Sequence, residues 1–217
     1  MNNEQVLQLI TAEFEAKTLG TTEQYLEIHG PVYENGQIKI ERIDRESPEG
    51  LIIAYLPVKD EYFSFAVYID PVTIEIFNIG TESRNTVSLL VSSEKLTAEE
   101  LRSFTALTPD RIADKGGLTP NKKSVHKRSF IEFTPNPEPD TFEDKLAKLI
   151  NFLLTDNEGI RALSVMADAS IEVMMDFHYG NQLIGAAALN LESIKKLSDL
   201  HLPINLHFTA WGKPFND

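Results

Sequence analysis

A chain of 217 residues, 42% of them hydrophobic and 24% charged, lies in the ordinary globular range and can bury a core without staples. It has no cysteine, which excludes disulfides, thiolate metal sites and thiol nucleophiles. Its net charge of −13 is uneven: residues 1–85 hold 6 Lys+Arg against 15 Asp+Glu, a net of −9, and the remainder 14 against 18, a net of −4.

Such a surface repels phosphate backbones, which argues against a nucleic-acid partner, and it favours a basic protein as partner. Solubility alone would also account for the charge. The opening stretch Met1 to Gln5 lacks the basic and apolar segments of a signal peptide, and no run approaches ~18 apolar residues, so a cytoplasmic protein with no membrane partner is expected.

Residues 4–17 have helical spacing at Val6, Leu7, Ile10 and Phe14, with Gly20 as the expected stop. The period then changes to two, with Tyr25, Glu27 and His29 alternating against Leu26 and Ile28 as in a strand. Asn35-Gly36, between short alternating runs, is a strong hairpin signal because both residues tolerate positive φ. Strands follow over residues 51–58, 62–69 and 73–79, with a turn at Asp70-Pro71. Phe63, Phe65 and Val67 suit a core, while Tyr62, Ser64, Ala66 and Tyr68 face the other way.

The character changes at residues 80–83. A strand over 86–92 leads to a capping box, Thr97-Ala98-Glu99-Glu100, and a helix with Leu101, Phe104 and Leu107. Residues 108–124 read as loop, 125–134 as strand and 141–154 as a helix whose apolar face includes Phe142, Leu146, Leu149, Ile150 and Leu153. A strand over 171–178, a helix over 190–200 and a strand over 203–210 close the chain. The helices opening at Thr97 and Asn190 resemble each other, which suggests a repeated αβ unit. Two chance-similar capped helices account for it equally. The expected fold is α+β in two domains: residues 1–85, an N-terminal helix plus antiparallel meander, and residues 86–217, a ferredoxin-like sandwich.

From Leu96-Thr97-Ala98-Glu99-Glu100-Leu101 through Leu107-Thr108-Pro109-Asp110-Arg111-Ile112-Ala113-Asp114-Lys115-Gly116, the strand at Phe130, the long helix and the closing strand–helix–strand, the chain resembles a bacterial family, domain of unknown function 4279. The resemblance spans about residues 86–212. It departs at Phe130-Ile131, where such domains often show a tryptophan. It implies a compact α+β domain and supplies no catalytic residues.

Local catalytic and cofactor motifs are absent. Gly116 to Ser124 superficially resembles a phosphate loop, but no glycine precedes Lys122, and Pro120 removes a needed N–H. The acidic run at residues 154–159 has Leu154 and Val165 at the first and twelfth positions of a calcium loop, so it reads as a helix end. The five histidines show no zinc spacing. No cofactor or metal is expected.

Dispersed sites remain. Glu172, Met174, Asp176 and His178 alternate away from Ile171, Val173, Met175 and Phe177, and His207 alternates in the last strand. If these strands are neighbours, Asp176, His178 and His207 share a polar sheet face that Arg128 and Glu132 can join. The bland reading is a solvated outer face. Arg111, Lys115, Lys122, Lys123, Lys127 and Arg128, with His126, form a basic loop that could bind an anion or simply be solvated. The function expected from this pattern is non-enzymatic capture of a basic protein, as immunity proteins do. The alternative is a small-ligand binder or enzyme using the polar sheet face.

Overall fold

The computed structural model of the protein describes residues 1–47, 49–178 and 186–213. Helix α1 (Asn3–Ala16) opens on a capping box in which Asn2 and Gln5 each accept from the other's backbone N–H at 2.9 Å. It ends at Lys17, which takes the left-handed conformation at φ 52°, and not at Gly20. Gly20 instead begins α2 (Gly20–Ile28), where a strand is expected. Helix wins because the buried positions are Thr22, Tyr25 and the C-cap His29, spaced three and four apart. Buried Glu13 braces the corner, accepting from the Leu19 N–H at 3.0 Å and from the Thr22 and Thr18 hydroxyls.

The hairpin β1 (Tyr33–Glu34) and β2 (Gln37–Ile38) turns on Asn35 and Gly36, at φ 51° and 81°. Strands β3 (Arg42–Asp44), β4 (Ile52–Pro57) and β5 (Phe63–Asp70) then form an antiparallel meander. Its continuation, β6 (Glu75–Ser93), is one strand of 19 residues that runs through the expected boundary at 85/86. Residues 75–83 of β6 pair with β5, and residues 84–92 pair with β9 (Asp168–His178). Residues 89–93 also pair with β8 (Ser129–Phe133), which carries the short β7 (Arg111–Ala113) inside the expected loop. Beyond β9 lies β10 (Ile204–Trp211), in parallel register.

Short α3 (Ala98–Arg102), then α4 (Phe142–Leu154), α5 (Asn157–Met166) and α6 (Leu191–Asp199) complete an α+β fold. Helix α5 stands directly after the acidic run that reads as a helix end. Asp156 is its N-cap and also accepts from the Ala106 N–H at 2.7 Å and the Thr105 hydroxyl at 2.5 Å. The two similar helices close differently. The chain after α3 forms β7 and then β8, which is antiparallel to β6, whereas α6 leads directly into β10, parallel to β9.

The core forms two main clusters. Val6, Ile10 and Phe14 of α1 and Tyr25 of α2 pack on Ala54, Leu56, Phe65, Val67 and Ile79. Helices α3–α6 pack on Val87, Leu89, Ile131, Ile171, Val173 and Met175. Neighbouring residues of a strand point to opposite faces, and Phe177 enters the second cluster while His178 turns toward α2. No helix among the described residues is long and apolar enough to cross a membrane.

Candidate functional site

The handover at Ser83/Arg84 leaves β6 between two helical layers, and side chains from both halves of the chain meet there. Asp140, at 0% exposure, stands just before α4. Its carboxylate accepts from Arg42 of β3 at 2.7 Å, Lys148 at 2.7 Å and Asn136 at 2.8 Å. Burial alone would raise the Asp140 carboxyl, but the Lys148 and Arg42 bonds hold it below its ordinary value. Asp44, Asp140 and Asp144 lie close enough to suggest a cation. Arg42 already serves that role, reaching Asp140 and approaching Asp44 at 3.5 Å.

Beside this tether, the Asn85 side chain donates to the Asp140 carbonyl at 3.1 Å, and its own backbone carbonyl accepts from the Lys145 Nζ at 2.5 Å. Lys145 is 3% exposed and, among the described residues, forms no ion pair. Loss of hydration on burial lowers its amine to about 8. Nearby Glu82 is pushed up by burial to about 7, against the hydrogen bonds from Ser83 and Asn85.

Asn85 and Lys145 border a cleft of about 490 Å³. Glu61, Tyr62 and Phe63 line one side, Ser83 to Thr86 of β6 another, and Asn136, Pro137, Pro139 and Lys145 a third. At its Glu61 end, His29 and His178 approach Nε2 to Nε2 at 2.9 Å, with His29 Nδ1 3.5 Å from Glu61. Burial, with the neighbouring His178, holds His29 down at about 4, so His29 is neutral near pH 7 where it bridges α2 and β9. Gly212, at φ 101°, passes so close that a Cβ would lie 3.2 Å from both Phe63 and His178.

Glu82 makes a pH prediction with a definite sign. A carboxyl raised from 4.5 to about 7 on folding contributes stability fully below pH 4.5, and that contribution is lost as pH rises through about 7. Glu82→Gln is therefore expected to raise the urea midpoint relative to the parent above about pH 7, the gain shrinking toward about pH 5. Equal differences at both pH values would contradict a buried, neutral Glu82.

The residues singled out from the sequence separate into three places. Asp176, His207, Arg128 and Glu132 do lie on the outer face of the β8–β6–β9–β10 sheet. There Glu132 accepts from Ser88 at 3.0 Å and from Arg111 at 2.7 Å, while Glu172 takes Asn205 at 2.7 Å and His207 at 3.2 Å. Asp176 accepts from the Trp211 indole at 2.9 Å, and Arg128 bonds Asp168. A shallow concavity of about 420 Å³ holds Phe130, with Arg111 5.6 Å over its ring. His178 is elsewhere, 2% exposed against His29 and Phe63. Lys122 and Lys123 stand exposed in the turn between Leu118 and Val125, away from both sites.

Lys145, Glu82, Asn85 and Arg84 are absent from the sequence-based candidates. For Lys145 a signal existed: it lies three residues after Phe142 and four before Leu149, on the apolar face of α4.

The family model described as Domain of unknown function (DUF4279) matches residues 81–211, more than half of the chain. The chain belongs to the DUF4279 family. Its DUF4279 region supplies Ser83 to Thr86, Asn136 and Lys145 to the cleft, and the residues before it supply Glu61 to Ser64. None of the curated proteins and none of the solved structures compared with the chain matches it.

Proposed function

We propose that this DUF4279 chain is a binding protein for a small organic acid, held in the cleft where the two halves meet. The observation that carries this reading is a pair of basic side chains bonded to no carboxylate, although Arg84 stands across from Asp176 of β9 and Lys145 lies near Asp140 and Glu82. Arg84 and Lys145 both line the cleft, and among the described residues neither forms an ion pair. Arg84 lies 5.8 Å over the Tyr62 ring, leaving its N–H donors for a ligand oxygen while Tyr62 offers an apolar wall. Farther along the outer sheet face, Arg111 and Arg128 are already neutralised by Glu132, Glu94 and Asp168. Clefts at the junction of two packed units, with a few converging polar groups and perturbed ionisations, are the usual place for small ligands.

Trp211 reports on this cleft because its ring lies 5.4 Å from Tyr62. Titration of the protein with small mono- and dicarboxylic acids is expected to change its fluorescence saturably. A charged hydrogen bond contributes about 1.5–3 kcal/mol, so Arg84→Ala should weaken binding by roughly 10- to 100-fold. An affinity unchanged in Arg84→Ala would remove this reading.

A further inference from the structure

We propose that Lys145 is a carbonyl-reactive amine, condensing with an aldehyde or ketone group of the ligand to form an imine in the cleft. The inference rests on reading the cleft as a ligand site and specifies what the ligand carries. Four observations support it. The Lys145 side chain is almost wholly buried, yet it lines a cavity large enough for a small molecule. Its Nζ bonds a neutral backbone carbonyl instead of a carboxylate. Asp140 and Glu82 favour an ammonium at Lys145 through space, but the Asp140 carboxylate is bonded by Arg42 and Lys148, whose positive charges oppose it, and burial outweighs both acids. Finally, Lys145 lies in the N-terminal part of α4, where the helix dipole opposes a cation. Desolvation and neighbouring cations are the two means by which a lysine is kept neutral enough to act as a nucleophile.

The condensation balances without an oxidant or reductant. The Nζ lone pair attacks the carbonyl carbon and forms the C–N bond. The carbonyl oxygen then leaves as water, taking the two hydrogens of the neutral amine, and a C=N double bond remains. Arg84 would hold a carboxylate on the same ligand, which makes an oxo acid the fitting class.

Glyoxylate, an aldehyde with one carboxylate, is the probe. The full chain is incubated with it and cyanoborohydride at about pH 8, where an ordinary lysine with a pKa near 10.4 is almost entirely protonated. Peptide mapping then compares Lys145 with exposed Lys17 and Lys195. Modification of Lys145 at least about tenfold faster than either is the expected result. Modification no faster than the exposed lysines overturns the proposal, and because the comparison is internal to one folded protein, no variant has to fold. If glyoxylate changes Trp211 fluorescence saturably while Lys145 is not trapped, the imine falls and the ligand site stands. If neither happens, with glyoxylate or any other acid, both fall.

Discussion

Asp140→Ala is expected to destabilise the protein by about 3–5 kcal/mol, because it takes from a largely buried guanidinium its closest acid and leaves only the longer approaches to Asp44 and Glu138. Arg42, with only 14% of its side chain exposed, bonds both the Asp140 carboxylate and the Pro139 carbonyl, and the same carboxylate holds Lys148 and Asn136. One acid thus ties β3, the segment before α4 and α4 itself. The cost lies in the poorly paired charge more than in the lost pair, since replacing both members of a buried pair by apolar groups is often nearly neutral. Arg42→Met combined with Asp140→Leu should accordingly lose less than Asp140→Ala alone. Urea unfolding of the three proteins measures this. A loss below about 1 kcal/mol for Asp140→Ala, or a double variant worse than the single, would contradict the tether.

Phe65→Ala should be comparably severe, about 3–5 kcal/mol, through a cavity instead of a charge. Phe65 is fully buried at the centre of the first cluster, and its ring contacts Phe14 of α1 edge-on and Tyr25 of α2, both at 5.9 Å between centroids. Neither helix can follow the missing ring without leaving the other, because Glu13 fixes the corner between them. Thermal unfolding is expected to show a midpoint lowered on the order of 10 °C. A shift of only one or two degrees would mean that α1 and α2 repack freely on the sheet.

Much of the fold is legible in the sequence because it is dictated locally. Asn35-Gly36, the capping box at Thr97 and the apolar stripe of α4 each act within a few residues, and each appears where expected. The α2 segment misleads because Tyr25, Glu27 and His29 alternate in chemistry, although the buried set follows the helical period. The handover in β6 is illegible for a different reason. Gly80 to Asn85 are small or polar, as in a linker, yet Glu82, Ser83 and Asn85 are polar because they bond one another and the segment at Asp140.

The site divides the same way. Alternation alone places Asp176, His207, Arg128 and Glu132 on one face, but it cannot show that Glu132, Arg128 and His207 are already paired with Arg111, Asp168 and Glu172. His178 belongs to that alternation and is captured by α2, a long-range contact with no local mark. The capture of a basic protein expected from net charge concerns a field spread over many side chains, and such a field leaves no single geometric mark. The cleft depends on residues 61, 84 and 145 meeting, which only the crossing of β6 between the two halves brings about.

The most direct test of the cleft is an NMR titration with small organic acids, following backbone amides across the chain. The account predicts saturable shifts concentrated at Ser83 to Thr86, Tyr62 and Phe63, and Asn136, with the Lys145 amine moving in step. Shifts confined to the outer face around Phe130 and Glu172, or none with any acid, would contradict it.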